Sequence, residues 1–290
     1  KFSNEDEASL LGHCKNKEQF DAVEAIHKAF AGHRDRPLVL TADRGRGKSS
    51  AMAIACAGII EQTTIPLRIG ICAPNIANVD IFFSQLNRCL PAGQLHNGHF
   101  KFSTESQFEC DVSFYVIDQL LAESPTLSLL LIDEAAGFPV KLLEKIAKTF
   151  HRVVYSSTIH GYEGAGRGFS IKFLKTLGSL RPEFRHLHLT KPIRWATEDP
   201  LEGFINDALL LDASLPIINN AISNVVADSF REQDIVFKVI AAKELCSDEL
   251  LLKQVFSLLV TAHYQTSPSD LKQLLDNPNI KVALLEIGNC

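Results

Sequence analysis

Lys48 and Ser49 lie near the end of a ten-residue segment, Thr41-Ala42-Asp43-Arg44-Gly45-Arg46-Gly47-Lys48-Ser49-Ser50. An apolar run, Pro37–Thr41, enters it, and a run of small residues, Ala51–Ala57, leaves it. This order predicts a strand, a phosphate-binding (Walker A) loop and a helix. Gly45 and Gly47 allow backbone conformations that a Cβ resists, so successive N–H groups can surround phosphate oxygens. The helix that follows directs its positive end at the same oxygens. In such a loop Lys48 reaches the β- and γ-phosphates of a nucleoside triphosphate, and Ser49 ligates Mg²⁺. Ala42 replaces the first glycine of the usual pattern, which the backbone accepts where φ is negative.

Leu129-Leu-Leu-Ile132 followed by Asp133-Glu134 has the form of a central strand that ends in an acidic pair. Alone, such a pair reads more readily as a solvated turn. Downstream of a phosphate loop it reads as a Walker B motif. Asp133 then holds Mg²⁺ through water, and Glu134 orients or deprotonates the attacking water. Tyr155–Phe169 begins at a strand end and carries glycines at 161, 164, 166 and 168. Ser157, Thr158 and His160 are its candidates for sensing a γ-phosphate, with a flexible surface loop as the alternative. Gln19 stands on a helix before the phosphate-loop strand, where it suits reading of adenine N6 and N7, or equally an ordinary exposed helix position. Arg181–Trp195 is basic with interleaved aromatics. There Arg194 is a candidate arginine finger. Arg185, Lys191 and Trp195 are candidates for phosphate contact or base stacking, against a solvated basic edge strand.

These residues need a sheet to position them. An amphipathic helix is expected over 16–31, with strands at 37–41, 67–73, 112–117, 127–132, 152–156 and 185–189. Helices are expected at 48–61, through 79–90 and at 140–148, and a hairpin or loop excursion over 91–112. Strands alternating with helices after a phosphate loop give an α/β, doubly wound parallel sheet, with ligand at the carboxyl ends of its strands. After Trp195 the pattern changes. A strand is expected near 224–228, a strong helix over 245–264, a short capped helix through Leu275 and a strand over 279–287.

A chain of 290 residues, 46% of them hydrophobic, can bury one large or two modest cores. The net charge of −5 excludes a uniformly basic nucleic-acid coat but leaves room for a local basic groove. The seven cysteines form no C-x-x-C pair and read as reduced thiols of a cytoplasmic protein. No apolar run is long enough to span a membrane. Met52 is the one methionine, so the chain is expected to be a piece of a longer protein.

Taken together, the motifs resemble the bacterial tRNA(Met) cytidine acetyltransferase family. The resemblance rests on Thr41–Ser50, Ile132-Asp-Glu-Ala-Ala136, Gly161–Phe169, Pro192-Ile-Arg-Trp195 and Phe256–Leu271, in that order. It implies an RNA-helicase-like, RecA-like ATPase module joined to a GNAT-type acetyltransferase. Such enzymes use acetyl-CoA and ATP to make N4-acetylcytidine at the wobble position of elongator tRNA(Met). The family's ATP contacts carry over to Gln19, Thr41–Ser50 and Arg194. The implied organisation is an ATPase lobe over 1–195, a linking segment over 196–244 and the start of a partial, α+β GNAT-type domain over 245–290. The acetyl-CoA site is then expected to be absent, so this chain binds and hydrolyses ATP without transferring acetyl groups, and its partners are tRNA and the remainder of the acetyltransferase. Two other readings stand beside this one: a free-standing RNA or DNA translocase, which needs a second RecA-like lobe, and a scaffold that holds ATP without turnover.

Overall fold

The computed structural model describes residues 12–159, 172–211, 235–262 and 268–287. The chain forms two compact units, the first through Asp199 and the second from Pro200.

The first unit is built on an eight-stranded sheet. Its strands are β1 (Leu38–Ala42), β2 (Leu67–Cys72), β3 (Gln94–His96), β4 (His99–Ser103), β5 (Glu109–Tyr115), β6 (Leu129–Ile132), β7 (Val153–Thr158) and β8 (Arg185–Leu189). Their spatial order is β3-β4-β5-β2-β6-β7-β1-β8. From β5 to β8 every pair is parallel, as β-α alternation predicts. The expected excursion over 91–112 is the antiparallel hairpin β3–β4, which extends the sheet beyond β5. Its turn is Asn97-Gly98, both residues with positive φ, the pair that a two-residue hairpin loop requires.

Helices cover both faces. On one, α1 (Lys17–Ala31), α2 (Lys48–Glu61) and α3 (Asp80–Cys89) pack a core that includes Val23, Ile54, Phe82 and Leu40. On the other, α4 (Ile117–Glu123), α5 (Val140–Thr149) and α6 (Leu174–Leu180) pack against Val39, Ile132 and Tyr155. Leu38 and Leu40 face the first core and Val39 the second, so β1 is buried on both sides. A strand covered on both faces reads as a continuous apolar run. Helix α2 is buried almost all round, which explains its small residues: alanine lets α1 and α3 approach it closely.

The second unit contains α7 (Pro200–Ala208), β9 (Ile235–Ala241), α8 (Ala242–Ser247), α9 (Glu249–Ala262), α10 (Pro268–Asp276) and β10 (Lys281–Ile287). Strands β9 and β10 pair antiparallel, and Ile240, Leu245, Phe256, Leu271 and Leu274 form its core. The division expected after residue 244 falls inside this unit, because β9 and β10 pair across it. The helix expected over 245–264 is two helices that meet at Asp248, whose carboxylate accepts from the Leu251 N–H as an N-cap does. The strand expected near 224–228 lies outside the described residues. Among the described residues, the sheet of this unit has two antiparallel strands, unlike the parallel sheet that a second RecA-like lobe needs.

Candidate nucleotide site

The sheet register brings the predicted motifs together. Ala42, the last residue of β1, pairs with Thr158 at the end of β7, and Ile132 at the end of β6 pairs with Tyr155. Hence the loop after β1, the acidic pair after β6 and the end of β7 lie side by side at the carboxyl edge. Strand β7 lies between the other two, so its side chains can reach both.

Ala42 is an extended strand residue, so the missing first glycine costs nothing. Gly45 and Gly47 both have φ of 80°, in the left-handed region. A Cβ on Gly45 would lie 2.6 Å from the Trp195 ring, and one on Gly47 2.6 Å from Ile193 Cδ1. Both positions therefore require glycine for conformation and for space. Gly47 caps α2 without a side-chain hydrogen bond, so the first N–H groups of the helix are left to the loop's ligand.

Asp133 is fully buried and accepts three hydrogen bonds. Ser49 Oγ donates to its Oδ2 at 2.7 Å, Ser156 Oγ to its Oδ1 at 2.9 Å and the Glu134 N–H to Oδ1 at 3.0 Å. Lys48 Nζ donates to Thr158 Oγ1 at 3.0 Å, and that hydroxyl donates to Glu134 Oε2 at 3.1 Å. The Thr158 hydroxyl thus bridges the Walker A lysine and the Walker B glutamate. Glu134 itself has φ of 46°, an unusual backbone state for a residue other than glycine, and one that recurs at functional sites.

Gln19 is not the exposed helix residue that its spacing equally allowed: it is 2% exposed. Its Nε2 donates to Gly47 O at 3.3 Å and its Oε1 accepts from the Lys15 N–H at 2.8 Å. Arg194 is brought to the same loop through its backbone, since the Ile193 and Arg194 N–H groups both donate to Gly45 O, at 2.9 and 3.2 Å. Its side chain is exposed.

Residues 39–212 match the helicase domain of the RNA cytidine acetyltransferase NAT10/TcmA. The chain belongs to this family. It is 43% identical, over 90% of its length, to the tRNA(Met) cytidine acetyltransferase TmcA of Vibrio cholerae, and 39% identical over 94% to that of Nitrosococcus halophilus. It spans 35% of the length of each. Among solved structures, the large terminase of the thermophilic bacteriophage D6E shares the fold, with TM-score 0.50 and 14% identity over 69% of this chain and 50% of that one.

Ser156, inside the matched NAT10/TcmA helicase domain, and Glu18, ahead of it, escaped the motif reading. Ser156 and Thr158 alternate along β7, so both face the acidic pair, and period-two alternation from the strand end would have found Ser156. Glu18 accepts from the Thr190 N–H at 2.7 Å, the Thr190 hydroxyl at 2.8 Å and the Lys191 N–H at 2.8 Å. Partial burial pushes its pKa up, but these hydrogen bonds outweigh it and hold the carboxyl below the usual range. Arg46 Nε donates to Thr190 O at 3.1 Å, and its guanidinium lies 5.7 Å from the Trp195 ring centroid. Glu18, Arg46 and Gly45 together fix the 190–195 loop over the phosphate loop. Thr41 is buried, with its Oγ1 2.7 Å from His186 Nε2 and 3.1 Å from His188 Nδ1. Desolvation and then the neighbouring His188 lower the pKa of His186.

Residues 160–171, with His160 and the four glycines, lie outside the described residues. Lys191 and Trp195 follow the carboxyl end of β8, whereas Arg185 starts that strand at the opposite edge. Among the described residues no three His, Cys, Asp or Glu side chains cluster as a metal cage, and no helix is long and apolar enough to cross a membrane.

Proposed function

We propose that this chain is the ATP-hydrolysing, helicase-like module of a cytoplasmic tRNA(Met) cytidine acetyltransferase. In the full-length enzyme, ATP turnover here would serve formation of N4-acetylcytidine at the wobble position of elongator tRNA(Met), with acetyl-CoA as donor. The observation that carries the reading is the Thr158 hydroxyl bridging Lys48 and Glu134, beside the Ser49–Asp133 pair.

In this reading Thr41–Ser50 wrap the phosphates, the α2 amides and Lys48 hold the β- and γ-oxygens, and Gln19 addresses the adenine. Mg²⁺ keeps several waters and takes only one or two carboxylates besides phosphate, so the Ser49 hydroxyl and the Asp133 carboxylate fit it without a larger cage. Bound there, it would neutralise charge on the phosphate oxygens. Ser156 fixes the Asp133 carboxylate. Glu134 orients the attacking water and accepts its proton. Thr158 senses the γ-phosphate, since Lys48 must exchange the Thr158 hydroxyl for phosphate oxygen and leave that hydroxyl to Glu134 alone. Arg194 stabilises charge on the transferred phosphoryl group. The segment from 245 onward leads into the acetyltransferase part, where acetyl-CoA binds.

The test has two arms. Phosphate release from ATP by this chain should vanish in Glu134→Gln while ATP binding persists. In the full-length enzyme, mass spectrometry of tRNA(Met) should find N4-acetylcytidine with wild type and far less with Lys48→Ala. ATP turnover that survives Glu134→Gln would refute the assigned base. Absence of acetylation by the active wild type would refute the coupling to tRNA.

A further inference from the structure

The carboxyl edge of the first unit holds the nucleotide site; the amino edge, where β8, β1 and β7 begin, carries a different chemistry. Arg36 precedes β1, His151 and Arg152 precede β7, and Arg185 starts β8. The turn His33-Arg34-Asp35-Arg36 is pinned to this edge. Asp35 has φ of 68°; its N–H donates to His151 O at 2.9 Å, and its carboxylate accepts from His151 Nδ1 at 2.8 Å and meets Arg181 Nη2 at 3.0 Å. Arg36 pairs with Glu183, and the Arg185 N–H donates to Pro37 O at 2.9 Å. The Arg152 Nη2 reaches Gly32 O only at 3.5 Å, and its Nε has no hydrogen-bond partner.

Five arginines (34, 36, 152, 181 and 185) therefore share one edge with two carboxylates, Asp35 and Glu183. Both acids are already committed. The His151 hydrogen bond first, and then the Arg181, His151 and Arg34 charges, hold Asp35 below its ordinary range; Arg36 first, and then His33, do the same for Glu183. The surplus is three positive charges in a chain whose net charge is −5. Three adjacent strand starts span about 10 Å. Arg34 and Arg185 are exposed, and Arg36, Arg152 and Arg181 stand half-buried beside them, Arg181 held by Asp35 and the Ala147 carbonyl. Such a row of guanidinium groups on a rigid sheet edge suits phosphate, which an exposed arginine meets with two donors at once. The inference rests on the tRNA reading above, because RNA is the polyanion that such an enzyme must hold.

We propose that the His33–Arg36 turn with Arg152, Arg181 and Arg185 forms an RNA phosphate-backbone docking edge, opposite the nucleotide site. It grips the ribose-phosphate chain without reading sequence and holds RNA while the carboxyl edge turns over ATP.

The experiment is fluorescence anisotropy of labelled tRNA(Met) titrated with this chain at 50–200 mM salt, for wild type, Arg34→Ala/Arg185→Ala and Arg34→Lys/Arg185→Lys. Arg34 and Arg185 are exposed, and the side-chain bonds that build the edge belong to Asp35, His151, Arg181, Arg36 and Glu183, so the fold is kept. ATP turnover without RNA should match wild type in both variants. The alanine pair should weaken binding about ten-fold at low salt and flatten the slope of log K against log salt by about two. The lysine pair should keep most of the slope, since it keeps the charge. Unchanged affinity and slope in the alanine pair, with wild type binding, would overturn the docking edge while leaving the tRNA reading intact. Failure of wild type to bind tRNA at 50 mM salt would overturn both. Weakened binding without a change of slope would mean a packing effect and also overturn it.

Discussion

Ser156→Ala isolates the support of the Walker B aspartate. Asp133 is fully buried, so no water replaces a lost donor, and its three donors are Ser49, Ser156 and the Glu134 amide. A hydrogen bond to a charged acceptor contributes about 1.5–3 kcal/mol, and removing one donor leaves part of a buried carboxylate unsatisfied. The substitution should therefore destabilise the first unit by about 2 kcal/mol. At about 2–4 °C per kcal/mol for a unit of this size, the melting temperature should drop by about 4–8 °C. Trp195 is the sole tryptophan and lies in the first unit, so its fluorescence during urea or thermal unfolding reports on that unit. Freed from Ser156, the carboxylate should also hold Mg²⁺ less well, raising the Mg²⁺ concentration needed for half-maximal ATP turnover. Ser157→Ala is the internal control. Its hydroxyl is bonded at 3.3 Å to the neighbouring Thr158 carbonyl and should be worth about 1 kcal/mol or less. Ser156→Ala within about 0.5 kcal/mol of wild type, with unchanged Mg²⁺ dependence, would refute the view that Ser156 holds Asp133.

Gly45→Ala should abolish tight ATP binding and cost about 1 kcal/mol or more, because φ is 80° and the new Cβ meets the Trp195 ring; equilibrium dialysis of ATP measures the first and urea unfolding the second. Tyr155→Phe should be neutral or stabilising by up to about 1 kcal/mol in the same unfolding assay, since the buried Tyr155 hydroxyl has no hydrogen-bond partner. Burial pushes the His27 imidazole from the ordinary 6.5 down to about 4. The folded state thus resists the proton that the unfolded chain accepts, so stability is full above about pH 6.5 and falls as pH drops toward 4. The loss approaches about 3 kcal/mol, and His27→Gln should flatten the profile over that window. Burial likewise raises the Cys72 thiol to about 12, and with the fully buried Cys56 it should resist alkylation that the exposed Cys246 accepts, as peptide mass spectrometry would reveal.

The parts of this fold that were legible in the sequence are those dictated by local chemistry. The phosphate loop declares itself because glycine, lysine and serine are each needed at a fixed offset, and β1 and β6 because a strand buried on both faces must be mostly apolar. Arg185–Leu189 was readable to the residue as β8. What stayed hidden depends on register and distance along the chain. Gln19 was ambiguous on helix spacing because its burial comes from Gly47, 28 residues away. Nothing near Glu18 announces that its partners are Thr190 and Lys191; alternation along β7 points to Ser156, but its partner Asp133 follows only from the β6–β7 pairing. The break at Asp248 was missed because the apolar pattern continues across it, while the capping bond that restarts the helix is a local polar event.

The placement of β1 has a consequence for synthesis. Its two neighbours are β7 and β8, which the ribosome makes only after residue 152. At roughly 5–20 residues per second, the strand that leads into the phosphate loop waits on the order of ten seconds with both hydrogen-bonding edges open. During that interval the nascent segment is exposed to wrong pairing, and contacts of such long sequence separation close slowly. The architecture that puts Thr158 between Lys48 and Glu134 therefore leaves this strand unpaired until the last strands of its sheet are made.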